Sequence, residues 1–169
     1  MTRVYVSVGS NIDREKNIHS SLSIIKKKYP SMQQSPIYES EAVGFTGDPF
    51  YNLVISFETV ETARQITDYL HGLEQQHGRR RSMPRFTART LDLDLLTFGT
   101  QIIDLQGLQL PRQEILQYAF VLLPLADLAP NECHPSLHKT YRQLWQAFDA
   151  PGQSLKPVAT DEMQQGISE

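Results

Sequence analysis

Two aspartates in an alternating segment are the residues best suited to carry chemistry. Asp92 and Asp94 alternate with Leu91, Leu93 and Leu95. Because side chains alternate across a strand, the two carboxylates share one face and the leucines fill the other. Carboxylates on one face repel each other, which disfavours their burial unless cations meet them. Magnesium is commonly held by one or two carboxylates together with substrate phosphates, so the pair is a candidate magnesium site.

A cluster of arginines precedes this strand. Five of the ten arginines lie between positions 79 and 89, and no acidic residue interrupts them. Guanidinium groups can fork onto phosphate oxygens and neutralise charge that develops there. Together with Gly78 and Pro84, the cluster is typical of a movable loop that binds a polyphosphate beside a metal site. Two other interpretations stay open, namely ion pairs at the start of a strand and a loop that binds nucleic acid.

Familiar glycine-rich and catalytic signatures are missing from the sequence. It contains no GxxxxGK[ST], GxGxxG, HExxH or GxSxG segment. A nucleotide held by the arginine cluster would therefore bind through side chains and metal, without a glycine-rich phosphate-binding loop.

Composition excludes several classes of protein. The 169 residues include 16 basic and 19 acidic ones, a net charge of −3, which disfavours a nucleic-acid coat or a polybasic membrane binder. The single cysteine, Cys133, excludes an intrachain disulfide. No apolar run approaches the ~20 residues of a membrane span, and the first residues show no signal-peptide stretch. We expect a cytoplasmic monomer or weak homodimer without nucleic-acid or membrane partners.

The elements that must position the acidic pair follow from hydrophobic periodicity. The pattern predicts the order β-α-β-β-α-β through residue 98, and the second strand has the weakest signal. This order is typical of an α+β, ferredoxin-like core with an antiparallel sheet, here followed by extra C-terminal strands and helices. The predicted strands lie at 4–8, 31–40, 53–57 and 91–95, and the predicted helices run from Asp13 to Tyr29 and from Thr62 to Gly78.

The segment RFTARTLDLDLL, Arg85 to Leu96, resembles a family signature. In the 6-hydroxymethyl-7,8-dihydropterin pyrophosphokinase (HPPK) family this segment typically reads RWGPRTLDLD, followed by two aliphatic residues. The resemblance extends from Val6 to about Pro130. It implies a ferredoxin-like fold and an enzyme of folate biosynthesis, which transfers the β,γ-diphosphate of ATP to the hydroxymethyl group of a reduced pterin and releases AMP.

The resemblance also implies a domain organisation. Residues 1–150 would form a single HPPK-like catalytic domain. Residues 151–169 are polar and unpatterned, so we expect them to form a loose tail.

Catalytic and nucleotide-binding roles around the acidic pair are implied by the same resemblance. Two magnesium ions would sit on Asp92 and Asp94, bridge the ATP phosphates and orient the substrate hydroxyl for in-line attack. Arg79 and Arg89 would act with the two aspartates in catalysis. The implied nucleotide-binding residues are Glu74, Arg79, Arg81, Arg89 and Leu95.

A pterin slot is the third implied feature. Phe50 and Phe120 match two aromatic residues that sandwich the pterin ring, and Asn52 matches an amide that reads the edge of the ring. Ser40 and Val43 match residues that contribute backbone groups. Without the resemblance, Phe50 and Phe120 would be interpreted as core residues and Asn52 as a strand-end amide.

Several positions depart from the family pattern. Arg80 and Arg112 could supply cations in place of those that are missing. If they do not, the chain would be a divergent paralogue that binds pterin with reduced or altered use of nucleotide. The departures are Phe86, Thr87 and Ala88 for Trp-Gly-Pro, His71 for glutamine, Gly107 for arginine, Arg112-Gln113 for His-Tyr, and Tyr118 for a basic residue.

Overall fold

A computed structural model describes residues 1–42, 47–78 and 90–159 of the chain. Across these ranges it contains a six-stranded sheet, a two-stranded hairpin and five helices. The strands are β1 (Thr2–Ser10), β2 (Gln33–Gln34), β3 (Tyr38–Ser40), β4 (Phe50–Thr59), β5 (Asp92–Phe98), β6 (Ile103–Leu105), β7 (Leu108–Leu110) and β8 (Lys156–Pro157). The helices are α1 (Arg14–Lys28), α2 (Ala63–Gln76), α3 (Glu114–Gln117), α4 (Ala119–Leu128) and α5 (Tyr141–Gln146).

The large sheet has the strand order β5-β1-β4-β3-β8, and β2 also pairs with β4. All of these pairings are antiparallel. The first strand, β1, therefore lies between β5 and β4, and α1 and α2 connect strands of the same sheet. This arrangement confirms the predicted α+β core with an antiparallel sheet and additional C-terminal elements.

The weak strand predicted at 31–40 is present as two short pieces, β2 and β3, which both pair with β4. Between them, Ser35 donates its backbone N–H to the Val54 carbonyl oxygen, and its hydroxyl accepts from the Val54 N–H, both at 2.9 Å. Pro36 follows and has no N–H to donate to a ladder, so regular pairing stops there. The interruption explains why the hydrophobic pattern of this region is weak.

The sheet separates two apolar layers. On one face, α1 and α2 bury residues such as Ile18 and Ile66 against alternating side chains of β1, β4 and β5. Leu91, Leu93 and Leu95 all belong to this layer, as their alternation predicted. On the opposite face, α3, α4 and α5 pack against other residues of the same three strands.

The N-termini of α1 and α2 differ in how they are capped. Thr62, where the second predicted helix begins, forms a full capping box with Gln65. Asp13 precedes α1, but its backbone is left-handed at φ 42° and its side chain makes no capping hydrogen bond. Within the described ranges, the helices all fall short of the length and apolarity that crossing a membrane requires.

Part of the segment expected to form a loose tail, around residues 153–158, contacts the rest of the described chain. Gln153 accepts a hydrogen bond from the Ala119 N–H at 2.8 Å and donates one to the Gln117 carbonyl oxygen at 3.0 Å. β8 then pairs with β3, and the Val158 N–H donates to the Ile37 carbonyl oxygen at 2.9 Å. These contacts use backbone groups and one polar side chain, so they leave no hydrophobic period in the sequence. Residues 160–169 of the predicted tail lie outside the described ranges.

Candidate active site

The acidic pair lies on β5, on the face opposite its buried leucines. Asp92 and Asp94 are both half-buried, whereas Leu91 and Leu93 are almost fully buried. Pairing with β1 places Gly9 beside Asp92 and Ser7 beside Asp94. No cluster of three or more histidine, cysteine or acidic side chains suited to a metal ion occurs in ranges 1–42, 47–78 and 90–159. Among the described residues, the two carboxylates of β5 share the face opposite the buried leucines.

A row of directly paired residues runs across the sheet from the acidic pair to Asn52, the side-chain amide that is predicted to bind pterin. Gly9 pairs with Asp92 on one side and with Asn52 on the other, and Asn52 in turn pairs with Tyr38. Directly paired residues of an antiparallel sheet project from the same face. Asp92 and Asn52 are therefore separated by two strand spacings, about 10 Å, with the side-chain-free Gly9 between them.

Gly9 keeps the middle of this row open. A methyl group at this position would lie 3.4 Å from Asn52 Oδ1 and 3.8 Å from a ring carbon of Phe50. Both distances are ordinary contacts, so glycine is not required by the backbone here. Its effect is to leave space between the amide and the carboxylates.

The side chain of Asn52 is held in one orientation. It is buried, and its Nδ2 donates to Ser40 Oγ at 2.7 Å and to the Tyr38 carbonyl oxygen at 3.4 Å. Its Oδ1 lies towards Gly9. A fixed amide of this kind can recognise the hydrogen-bonding edge of a flat heterocycle.

The two predicted aromatic residues border the same face of the sheet as Asn52. Phe50 is half-buried and lies two residues before Asn52 on β4. Phe120 is half-buried on α4, in the layer that packs on this face, and its ring stacks on Tyr118 with centroids 4.9 Å apart. The bond from the Ala119 N–H to Gln153 anchors the start of α4 next to Phe120.

Arg112 brings a positive charge towards the acidic pair. Its backbone N–H donates to the Leu96 carbonyl oxygen on β5 at 3.0 Å, and its Nε and Nη2 donate to the two carboxylate oxygens of Glu114, both at 3.1 Å. Burial alone would lower the pKa of the guanidinium. The carboxylates of Asp94, Glu114 and Asp92 outweigh burial, and the pKa lies above its ordinary value.

Two predicted nucleotide-binding residues occupy buried positions. Glu74 is 1% exposed, and its Oε2 accepts a hydrogen bond at 2.9 Å from the N–H of Leu93, between the two aspartates. It therefore ties α2 to the strand that carries the acidic pair. The Leu95 side chain lies in the layer under α1 and α2, so a nucleotide contact there would involve its backbone.

The remaining site predictions fall into two groups. His71 lies half-buried on α2, and Gly107 occupies the turn between β6 and β7 with φ 76°. Val43, Arg79, Arg80, Arg81, Phe86, Thr87, Ala88 and Arg89 lie outside the described residues.

Sequence reasoning missed the residues that hold the segments around the site. Ser10 Oγ donates to the Thr90 carbonyl oxygen at 2.6 Å, just before β5. Asn11 Nδ2 donates to the Asp48 carbonyl oxygen at 3.0 Å, just before β4. Arg14 donates to the Pro49 carbonyl oxygen at 2.9 Å. In the sequence, the Gly-Ser-Asn turn after β1 was the available signal for these residues. It could not identify their hydrogen-bond partners, because those lie far away along the chain.

Sequence comparison matches the chain to a protein family and to named relatives. A model of the family described as 7,8-dihydro-6-hydroxymethylpterin-pyrophosphokinase (HPPK) matches residues 5–130. A 2-amino-4-hydroxy-6-hydroxymethyldihydropteridine pyrophosphokinase of Pseudomonas aeruginosa is 38% identical over 133 residues, 76% of this chain and 82% of the relative. A protein of the same name from Haemophilus influenzae is 31% identical over 140 residues, 80% of this chain and 87% of the relative.

Solved structures share the fold. A wild-type HPPK-DHPS of Plasmodium falciparum, solved with SDX-DHP, matches with a TM-score of 0.67 at 14% identity, over 88% of this chain. An HPPK-DHPS structure in complex with substrates matches with a TM-score of 0.68 at 13% identity, over 87% of this chain. The match covers 44% and 43% of those chains, so this chain spans less than half of their length. At these identities the likeness concerns the fold alone.

Proposed function

The chain belongs to the 7,8-dihydro-6-hydroxymethylpterin-pyrophosphokinase family, and from this membership we propose how its residues carry out the reaction. It transfers a pyrophosphoryl group from ATP to the hydroxymethyl group of a dihydropterin in folate biosynthesis. A bond forms between the hydroxymethyl oxygen and the β-phosphorus, and the bond from that phosphorus to the α,β-bridging oxygen breaks. AMP leaves with the bridging oxygen, and the hydroxyl proton is released to solvent. The observation that carries the proposal is the row of Asp92, Gly9 and Asn52 on one sheet face.

Asp92 and Asp94 hold the magnesium of the reaction, and we expect two ions. Two half-buried carboxylates on one strand fit an ion whose other ligands are substrate phosphates and water. Magnesium bound there would neutralise phosphate charge during transfer. Glu74 supports the pair through its bond to the Leu93 N–H.

The dihydropterin binds at the other end of the row. Asn52, whose orientation Ser40 and Tyr38 hold, recognises the edge of the ring, and Phe50 and Phe120 contact its faces. A ring held at Asn52 can extend its hydroxymethyl group over Gly9 towards the carboxylates. Val43 completes the pterin contacts in this proposal.

The arginine cluster binds the phosphates of the nucleotide. Arg79 and Arg89 take part in catalysis with the acidic pair, and both also bind nucleotide together with Arg81, Glu74 and Leu95. Guanidinium groups suit this role because they fork onto phosphate oxygens.

The remaining proposals concern the protein as a whole. We propose residues 1–150 as one catalytic domain in a cytoplasmic enzyme that is a monomer or a weak homodimer. Its small-molecule partners are ATP and the reduced pterin.

Release of AMP tests the proposed function directly. AMP is measured from Mg-ATP with and without 6-hydroxymethyl-7,8-dihydropterin, for the wild type and for Asp92→Asn and Asp94→Asn. We expect pterin-dependent AMP from the wild type and a loss of at least about 10²-fold in each variant, because each removes a charge that supports phosphoryl transfer. Asp104→Asn, an exposed aspartate on β6, is the matched control and should keep full activity.

Two results would contradict the proposal. Wild-type activity in both aspartate variants would exclude the acidic pair as the metal site. Folded wild-type protein that binds pterin but releases no AMP would favour the divergent paralogue.

A further inference from the structure

Tyr38 lies beside Asn52 in the row of paired residues, on the side away from Gly9. Because Tyr38 and Asn52 pair directly, their side chains project from the same face of the sheet. The Tyr38 carbonyl oxygen accepts a hydrogen bond from Asn52 Nδ2, and Pro157 of β8 pairs with Tyr38 on its other side. Neighbouring strands thus hold the backbone of Tyr38 next to the amide that is proposed to bind pterin.

The side chain of Tyr38 reaches from β3 to α4. Its hydroxyl donates a hydrogen bond to Oδ2 of Asp127, near the end of that helix. Burial and the carboxylate of Asp127 both raise the pKa of Tyr38 above its ordinary value, so the hydroxyl keeps the proton that it donates. A directional bond to a charged acceptor therefore joins β3 to α4 at this point.

Asp127 lies on the same side of α4 as Phe120. The two residues are seven positions apart, which is about two turns of an α-helix and about 10 Å along its axis. Apolar residues such as Val121 and Leu125 pack α4 against the sheet, but apolar contacts are not directional. The hydrogen bond at Asp127 adds a directional contact that limits rotation of the helix about its axis. This contact also limits where the ring of Phe120 can lie.

We propose that Tyr38 is a positioning residue for pterin, whose hydroxyl sets the distance between Asn52 and the ring of Phe120 by bonding to Asp127. This inference rests on the proposed function, since it takes the dihydropterin as the ligand of these two side chains. A flat ring can contact an amide at its edge and an aromatic side chain at its face only when the two are held at the right separation. Tyr38 bonds directly to the first and acts on the second through α4.

Dihydropterin binding to Tyr38→Phe tests the proposal, because this substitution removes only the hydroxyl. 6-Hydroxymethyl-7,8-dihydropterin is titrated by fluorescence with saturating Mg²⁺ and α,β-methylene-ATP, an analogue in which carbon replaces the oxygen of the bond that breaks. We expect Tyr38→Phe to weaken pterin binding by about fivefold, within the usual effect of one lost hydrogen bond. Asp127→Ala should have the same effect, whereas Asp127→Asn keeps an acceptor oxygen and should stay within about twofold of the wild type.

A second background shows whether the hydroxyl acts through Phe120. Tyr38→Phe is combined with Phe120→Leu, which keeps an apolar side chain but lacks a flat ring. We expect Tyr38→Phe to change pterin affinity by less than about twofold in this background, because residues that act as one unit give non-additive losses. A hydroxyl that contacted the ligand itself would keep its full effect.

Tyr29→Phe is the matched control. The Tyr29 hydroxyl donates to Glu61 Oε1 at 2.5 Å, and its ring lies in the apolar layer on the opposite face of the sheet. The substitution therefore removes the same type of bond away from the pterin side of the sheet. Both Tyr38→Phe and Tyr29→Phe should lower the thermal midpoint of unfolding, and only Tyr38→Phe should weaken pterin binding.

Several outcomes would overturn the proposal. These are wild-type pterin affinity in Tyr38→Phe or in Asp127→Ala, an undiminished loss in the Phe120→Leu background, and an equal loss in Tyr29→Phe. A wild type that binds no dihydropterin would overturn it together with the proposed function. A wild type that binds dihydropterin but releases no AMP from Mg-ATP would contradict the proposed function alone, while the comparison of Tyr38 variants would still decide this contact.

Discussion

Gly9 illustrates at the scale of one residue how an absent side chain can define a site. Its neighbours in the cross-strand row, Asp92 and Asn52, carry the groups proposed to bind metal and pterin, and Gly9 provides the space between them. Because a methyl group there would meet Asn52 and Phe50 only at ordinary contact distances, the fold should tolerate alanine. The effect of the substitution should therefore appear in binding.

We expect Gly9→Ala to weaken dihydropterin binding by on the order of tenfold, because the methyl group displaces a ring that must lie close to Asn52. Mg-ATP affinity should stay within about twofold of the wild type. Fluorescence titration of the pterin measures the first quantity, and calorimetric titration of Mg-ATP the second.

Gly72→Ala is the matched control for this experiment. A methyl group at Gly72 on α2 would meet nothing within 4 Å. It should raise the free energy of unfolding by about 0.5–1 kcal/mol, as expected for alanine in a helix, and leave pterin affinity unchanged. Wild-type pterin affinity in Gly9→Ala would show that the ring does not cross this position.

Individual site residues could be predicted from the sequence only to a limited extent. The alternation of Asp92 and Asp94 with leucines predicted their shared face, because that information is local. Asn52 and Phe120 have no such local signal, and only the resemblance to a family selected them. The Arg112–Glu114 pair was not predicted, since neither residue type nor spacing shows which guanidinium a carboxylate orients.

At the scale of elements, the sheet and its first two helices were predictable because apolar periodicity encodes them. The strand at 31–40 was the least certain, and the structure divides it at Ser35 and Pro36 into β2 and β3. β8 could not be predicted, because a lysine and a proline at 156–157 produce no hydrophobic pattern.

Gln153 connects the segment before β8 to the helix that carries Phe120. We expect Gln153→Ala to lower the free energy of unfolding by about 1–2 kcal/mol, because its side chain makes two hydrogen bonds to backbone groups. Pterin binding should weaken as well, since the start of α4 loses its anchor. Chemical denaturation and pterin titration measure the two effects.

Gln76→Ala, an exposed glutamine at the end of α2, is the control for Gln153→Ala. Both quantities should remain at wild-type values in this variant. If Gln153→Ala lowered stability without any change in pterin affinity, the link between this anchor and Phe120 would be excluded.

At the scale of the whole molecule, one buried histidine makes stability depend on pH. Nδ1 of His134 accepts hydrogen bonds from the N–H groups of Ser136 and Leu137 at 3.1 and 3.2 Å, which requires an unprotonated nitrogen. Burial lowers the pKa of His134 below its ordinary value of 6.5. As pH falls, the unfolded chain therefore binds a proton at His134 before the folded chain does. The contribution of the neutral imidazole to the stability of the fold is lost as pH falls from about 6.5 through the folded pKa.

We expect the free energy of unfolding to fall between about pH 7 and pH 5, and His134→Asn to reduce this slope. Urea denaturation at several pH values measures it. His19→Gln, an exposed histidine on α1, should keep the wild-type slope. An unchanged slope in His134→Asn would show that other groups cause the dependence.

The short strand β8 also has a consequence for the behaviour of the protein in a crowded solution. An uncovered edge strand offers unpaired backbone groups on which another chain can assemble. β8 occupies the edge of β3 with Lys156 and Pro157, a charged residue and one without an N–H donor. Both features oppose addition of a further strand. The segment that anchors the start of α4 thus also opposes the addition of a further strand at this edge of the sheet.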